Sequence, residues 1–233
     1  MIYGFDPTII ILLPAIIFAV WAQAKVSGAY NKYSKVKNRK GITGAQAART
    51  ILNRNGLSNV EIEITQGKLS DHYDPRKRKV FLSPGVHGVA SVAAVSIAAH
   101  EAGHAIQHAE SYKPLSVRNA IVPVVNIGSM LSWPLLLIGI LLITAGNFYE
   151  GNLVFNLGII LFLGVIIFHS VTLPVEFNAS KRAMLQLVEY GIVYDEESKG
   201  AKKVLSAAAM TYVAALAVAV ANLVRLLLIR GQR

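Results

Sequence analysis

The sequence predicts a mainly α-helical integral membrane protein with about four transmembrane helices and a small α+β portion on the cytoplasmic side. Hydrophobic residues make up 54% of its 233 positions and charged residues only 15%, against a charged share of about 25% in soluble domains. The apolar residues gather into four stretches, each near the roughly 20 residues a helix needs to cross about 30 Å of hydrocarbon. The placement of the basic residues then orients those stretches.

The first stretch covers residues 7–24 within an amino-terminal anchor, 1–24. Ala22-Gln23-Ala24 has the small-x-small form of a signal-peptide cleavage site. Residues 1–8, however, include Asp6 and hold no Lys or Arg, whereas a signal peptide requires a basic leading region. An uncleaved anchor with its amino terminus outside fits better.

The segment 25–119 has a small fold of its own. Thr43-Gly44-Ala45-Gln46 reads as a capping box, followed by a helix to Asn55 and a stop at Gly56. Val60, Ile62 and Ile64 alternate with polar residues, as a half-buried strand does. The turn-rich residues 70–75 lead to a second short strand over 79–83. A helix of small residues then spans about 91–109. Residues 120–174 form a transmembrane hairpin of two apolar stretches, about 120–145 and 153–174. Pro123 and Pro134 fall inside the first, where membrane helices tolerate kinks. A polar segment, 175–203, precedes the last hydrophobic helix, about 204–223, and its basic tail within 204–233.

Of the 23 Lys and Arg residues, fifteen lie from Lys25 to Arg118, five from Lys181 to Lys203, and three at Arg225, Arg230 and Arg233. The link 146–152 has none. The positive-inside rule therefore places 25–119 and 175–203 in the cytoplasm of a multi-pass cell-membrane protein. The last arginines conflict with a fourth full crossing, so either the rule is violated there or the final segment stops short. The net charge of +10 suits loops facing lipid headgroups, and no nucleic-acid partner is expected. The chain has no cysteine, which excludes a disulfide framework and a thiolate metal site.

His100-Glu101-Ala102-Gly103-His104 lies inside the small-residue helix. Residues four apart share a helical face, so both imidazoles can address one zinc ion per chain. Glu101, one position on, stands beside the metal without ligating it. There it can serve as the general base that takes a proton from a zinc-activated water and later passes it to the leaving amine. The flanks are Ser96-Ile97-Ala98-Ala99 and Ala105-Ile106. Titratable groups on so apolar a surface are costly unless a metal compensates them.

Two histidines leave zinc short of a protein ligand. His108 continues the same face but rises about 12 Å from His100 along a straight helix. A metzincin pattern needs Gly and His where Gln107 and Glu110 stand. His169, inside the third stretch, fits a helix–helix hydrogen bond. Glu176 is the expected third ligand, because the hairpin 120–174 returns the chain to the edge from which the zinc helix departed.

His100-Glu-Ala-Gly-His-Ala-Ile-Gln-His108, Asp71-His-Tyr-Asp-Pro75 and Pro174-Val-Glu-Phe-Asn-Ala-Ser180 together resemble the bacterial YugP-type membrane zinc metallopeptidases, over nearly the whole chain. More distantly the chain is similar to HtpX and the CAAX-prenyl endopeptidases, whose helix carries E-x-x-x-D. The resemblance implies a zincin-like cytoplasmic portion, with His100, His104 and Glu176 as ligands and Glu101 as base. Ser180 stands where the distant pattern has Asp, so the carboxylate that would orient a ligating His is missing or replaced. His108, like His87, is expected at the surface or behind a ligand.

The expected function is zinc-dependent endoproteolysis of membrane or juxtamembrane protein substrates, by a gluzincin-like enzyme in the lipid bilayer. Residues 79–83, including Phe81, are the expected edge to which a peptide adds as a strand. His72 or Tyr73 could donate to the oxyanion; equally, the polar residues of 70–75 could do no more than close a turn. The rival reading is a non-catalytic, zinc-stabilised membrane scaffold or chaperone subunit, against which an intact Glu101 speaks. A metal transporter would need paired acidic residues inside a span. Homo-oligomers and protein partners are not legible in the sequence.

Overall fold

The computed structural model describes residues 7–231. Residues 1–6 of the expected anchor and Arg233 of the expected tail lie outside the described residues. A 3-10 turn, Pro7–Ile11, opens into α1, Leu12–Tyr33, which runs well past the expected end of the first stretch. Then follow α2 (Gly44–Arg54), β1 (Glu61–Ile64), β2 (His72–Asp74), β3 (Lys79–Leu82), α3 (Pro84–His87) and α4 (Val92–Ala109). Three long helices complete the chain: α5 (Lys113–Thr144), α6 (Phe148–Glu189) and α7 (Asp195–Gly231). The chain is thus mainly helical with a small α+β portion, and it divides into two compact units.

The apolar unit holds Val117–Leu173 with the residues up to Trp21 and from Tyr212 onward. Four helices are long and apolar enough to cross a membrane: Pro7–Tyr33, α5, α6 and α7. Along α5, Val124, Ile127, Met130, Trp133, Leu137 and Leu141 are exposed. An apolar stripe at this helical spacing, left uncovered, is the surface lipid requires. Facing side chains of Leu136, Phe155, Ile159, Phe162 and Leu226 form the core of this unit. Gly139 permits a close approach in it, since a Cβ there would lie 2.7 Å from the Phe155 nitrogen. Near the carboxyl terminus Arg225 Nε donates to Thr8 Oγ1 at 3.3 Å. Ile229 and Arg230 line the same small cavity as Phe148 and Asn152. The last helix therefore reaches the level of the α5–α6 link.

The second unit holds Ala22–Ser116 and Pro174–Thr211. Helix α2 starts with the expected capping box: Thr43 Oγ1 accepts from Gln46 N and Gln46 Oε1 from Thr43 N. The sheet has the order β1-β3-β2, with β1–β3 parallel and β2–β3 antiparallel. This corrects the expected substrate edge over 79–83, because β3 is central and paired on both sides. The edges are β1 and β2, and β2 lies in a segment that reads as a turn. Three polar residues give no periodicity, and the strand exists because the turn after it folds it onto β3. Asp74 Oδ1 caps that turn by accepting from Arg76 N and Lys77 N, and Arg78 takes a left-handed φ of +53°. Expected alternation holds only partly in β1, where Ile64 is exposed.

Helix α4 is the centre of this unit. Ser91 caps it by accepting from Ala94 N. Its alanines at 94, 98, 99, 102 and 105 are buried among Ile51, Leu52, Val80, Leu82 and Leu187. Small side chains let α2, the sheet and α6 approach one helix from several sides.

Candidate metal centre

The motif histidines project from α4 toward the stretch of α6 that follows Pro174. Proline cannot donate to the carbonyl of Ser170, which loosens the helix just before Glu176. Gly103 lets the two helices meet: a Cβ there would lie 2.8 Å from the Ala179 carbonyl oxygen. Glu176, 3% exposed, is thereby held against both imidazoles. Its Oε2 lies 3.2 Å from His100 Nε2 and 3.6 Å from His104 Nε2. One donor atom from each of the three residues falls within 4.8 Å of the others. Tetrahedral zinc, with bonds of about 2.0–2.1 Å, separates its ligand atoms by about 3.3 Å. The trio fits such an ion, and the expected set His100, His104 and Glu176 is the potential metal site.

Both rings are held from behind. His100 Nδ1 lies 3.2 Å from Ser180 Oγ, and His104 Nδ1 lies 3.0 Å from Gln107 Oε1. Each Nδ1 thus has a partner that can accept its proton, leaving Nε2 free to face the metal position. Ser180 occupies the orienting place through its hydroxyl where the distant pattern has a carboxylate.

Gln107 was not singled out by sequence reasoning. It is fully buried, and its Nε2 donates at 2.9 Å both to the Val175 carbonyl and to Asn178 Oδ1. One amide therefore joins His104 to α6 on both sides of Glu176. Asn178 also accepts from Arg182 Nε at 2.7 Å, and Arg182 pairs with Glu110 at 2.7 Å. The available signal was a glutamine three residues after a ligand on an otherwise apolar face.

Glu101 is buried beside the cluster, 8% exposed. Burial pushes its carboxyl up to about 7, and the charges of Glu176 and Asp71 push the same way. The His100 ring and a hydrogen bond from the Tyr73 backbone oppose the rise. Asp71 is itself raised by burial, against hydrogen bonds from Ser83 N and Oγ.

Of the other expected site residues, Tyr73 reaches Glu101 through its backbone. His72 stacks on Phe81, with ring centroids 4.8 Å apart. Both point to the sheet face opposite that of Tyr73, Val80 and Leu82. The Tyr73 hydroxyl lies 2.8 Å from His108 Nδ1, two turns of α4 beyond Glu101. The oxyanion role expected of the His72 or Tyr73 side chain therefore has no geometric support. His108 backs Tyr73 and neither ligand.

A protein family described as "putative neutral zinc metallopeptidase" matches residues 8–231. The chain is 47% identical over 221 residues to the "putative membrane protease YugP" of Bacillus subtilis (strain 168), covering 95% of each chain. No solved structure matches it.

Two outcomes are expected. In the metal-free protein, Glu101 binds a proton between its ordinary acidic range and about pH 7 that the unfolded chain has released. Its contribution to stability should be complete at low pH and lost as pH rises toward 7. Thermal melts from pH 5 to 8 should show that decline, and Glu101→Gln should flatten it; an equal slope in the variant assigns it elsewhere. Replacing Gln107 by Leu should weaken zinc binding about tenfold to a hundredfold in chelator competition, and wild-type affinity would remove Gln107 from the centre.

Proposed function

Because the chain belongs to the putative neutral zinc metallopeptidases, a family whose activity its site can accommodate, we propose that it is a membrane-embedded zinc endopeptidase. The observation that carries this reading is the placement of Glu101. A structural zinc site needs only ligands, yet here a buried carboxylate of raised affinity for protons stands next to a convergent His100, His104 and Glu176. Zinc bound there would polarise the scissile carbonyl and acidify the attacking water toward pH 7. Glu101 takes one proton from that water as its oxygen bonds to the carbonyl carbon. It then gives the proton to the amide nitrogen as the carbon–nitrogen bond breaks. Ser180 and Gln107 keep the two rings in the tautomer that presents Nε2.

The substrate strand adds to β2. That strand ends the sheet, and its Tyr73 backbone reaches Glu101. A strand laid there passes its main chain in front of the base. Membrane or juxtamembrane segments are the substrates, since four apolar helices accompany the site. The basic residues of 25–119 and 175–203 support a cytoplasmic orientation for these segments in a multi-pass topology, with 120–174 as the hairpin between them.

Glu101→Gln should abolish cleavage of a membrane-protein reporter while the purified protein keeps about one zinc per chain. Cleavage at the wild-type rate by that variant would sink the assignment. A reporter inserted at Asn147 should give an external signal, and a cytoplasmic one would reverse the orientation.

A further inference from the structure

Beyond Glu101 on α4, one and two turns further along the same face, stand Ala105 and His108. With Tyr73 of β2 they floor a cavity of about 500 Å³, a volume in the range of ligand sites. Arg78, Asn59, Ser111 and Ser116 surround it. None of these side chains takes part in the metal cluster. The cavity nevertheless adjoins the base through one residue. The Tyr73 backbone reaches Glu101, while the Tyr73 ring and hydroxyl lie in the cavity.

The charge of the lining is one-sided. Arg78 makes no ion pair and no side-chain hydrogen bond among the described residues, although its charge reaches the Tyr73 phenol. Nearby negative groups are already engaged. Glu110 pairs with Arg182. The last carbonyls of α4, on Ile106, Gln107 and His108, accept from Glu110 N, Tyr112 N and Ser111 N. The Asp74 carboxylate accepts from the β2–β3 turn. The Tyr73 hydroxyl is engaged with His108 Nδ1, and Leu57 and Val60 add apolar wall. The polar groups left at the cavity are the Arg78 guanidinium, the Ser111 and Ser116 hydroxyls and the Asn59 amide. That set donates hydrogen bonds to an anion.

We infer that this cavity is a specificity subsite for an acidic side chain of the peptide substrate, an inference that rests on the peptidase reading. Seven residues of helix separate Glu101 from His108, a rise of about 10 Å. An extended peptide covers that in about three residues at roughly 3.3 Å each. An Asp or Glu some three positions from the cleaved bond therefore comes level with His108, at the cavity that Arg78 also lines.

The test uses zinc-loaded, full-length Glu101→Gln protein and a set of labelled ten-residue peptides, read by fluorescence anisotropy. Each peptide carries one Glu, or Gln in its place, at successive positions. At one position Glu should bind at least about tenfold tighter than Gln. Arg78→Asn should bring that ratio close to one, and Arg78→Lys should retain most of it. Asn is chosen because it tolerates the left-handed backbone of this position. The absence of a discriminating position, or discrimination that survives Arg78→Asn, overturns the inference. So does an Arg78-dependent affinity for phosphatidylserine vesicles without any dependence on peptide charge, which would assign the cavity to a lipid headgroup. Cleavage of the same set by the zinc-loaded wild type is scored separately. Acid-selective binding without cleavage would remove the peptidase reading and keep the cavity as a site for acidic peptides.

Discussion

At Gly103 the backbone of α4 passes so close to the Ala179 carbonyl of α6 that any side chain would collide with it. The metal centre depends on this approach. Glu176 is one helical turn before Ala179, and His100 and His104 flank Gly103, so the crossing places one carboxylate between two imidazoles. Gln107 fixes the same crossing one turn further along, with hydrogen bonds to both Val175 and Asn178. A side chain at 103 would push the helices apart, and those bonds would lengthen together with the distance from Glu176 to both rings. The register of two helices thus becomes the geometry of a ligand set.

The same crossing explains how so many polar groups are tolerated in one interior. Glu101, His104, Gln107 and Glu176 are all buried, and each unpaired group would be expensive there. Gln107 satisfies His104 and is satisfied by α6; Ser180 serves His100; Glu176 lies between the rings. Only Glu101 has no cation fully its own, and its carboxyl responds by holding its proton up to about pH 7. A proton-transfer group needs this affinity, one close to that of the water it serves. Burial therefore tunes the proposed base at the same position where the metal would bind.

The sheet contributes position more than area. Its central strand β3 supplies Val80 and Leu82 to the core, and its edge strand β2 brings the Tyr73 backbone to Glu101. Tyr73 is thereby shared between two places, its main chain beside the base and its ring beside Arg78 and His108. A substrate strand on β2 would be read at both, once for cleavage and once for charge.

Much of this was legible in the sequence where the controlling interactions are local. The apolar lengths set the four long helices, Thr43 and Gln46 set the start of α2, and the four-residue spacing of His100 and His104 set their common face. Glu176 was legible at one remove, because a hairpin must return the chain to the edge it left. Strand β2 was not, since three polar residues acquire strand geometry only from pairing with β3. The edge role expected of residues 79–83, Phe81 included, failed for the same reason, as sheet order decides which edges are free. Gln107 was invisible because its partners lie on another helix, 68 and 71 residues along the chain. Sequence by itself determined the helix that presents two of the potential metal ligands, through spacing that one helix enforces. The third ligand's position, the groups behind each ring and the cavity beside the base were decided by tertiary structure, because each depends on how closely two separate elements pack.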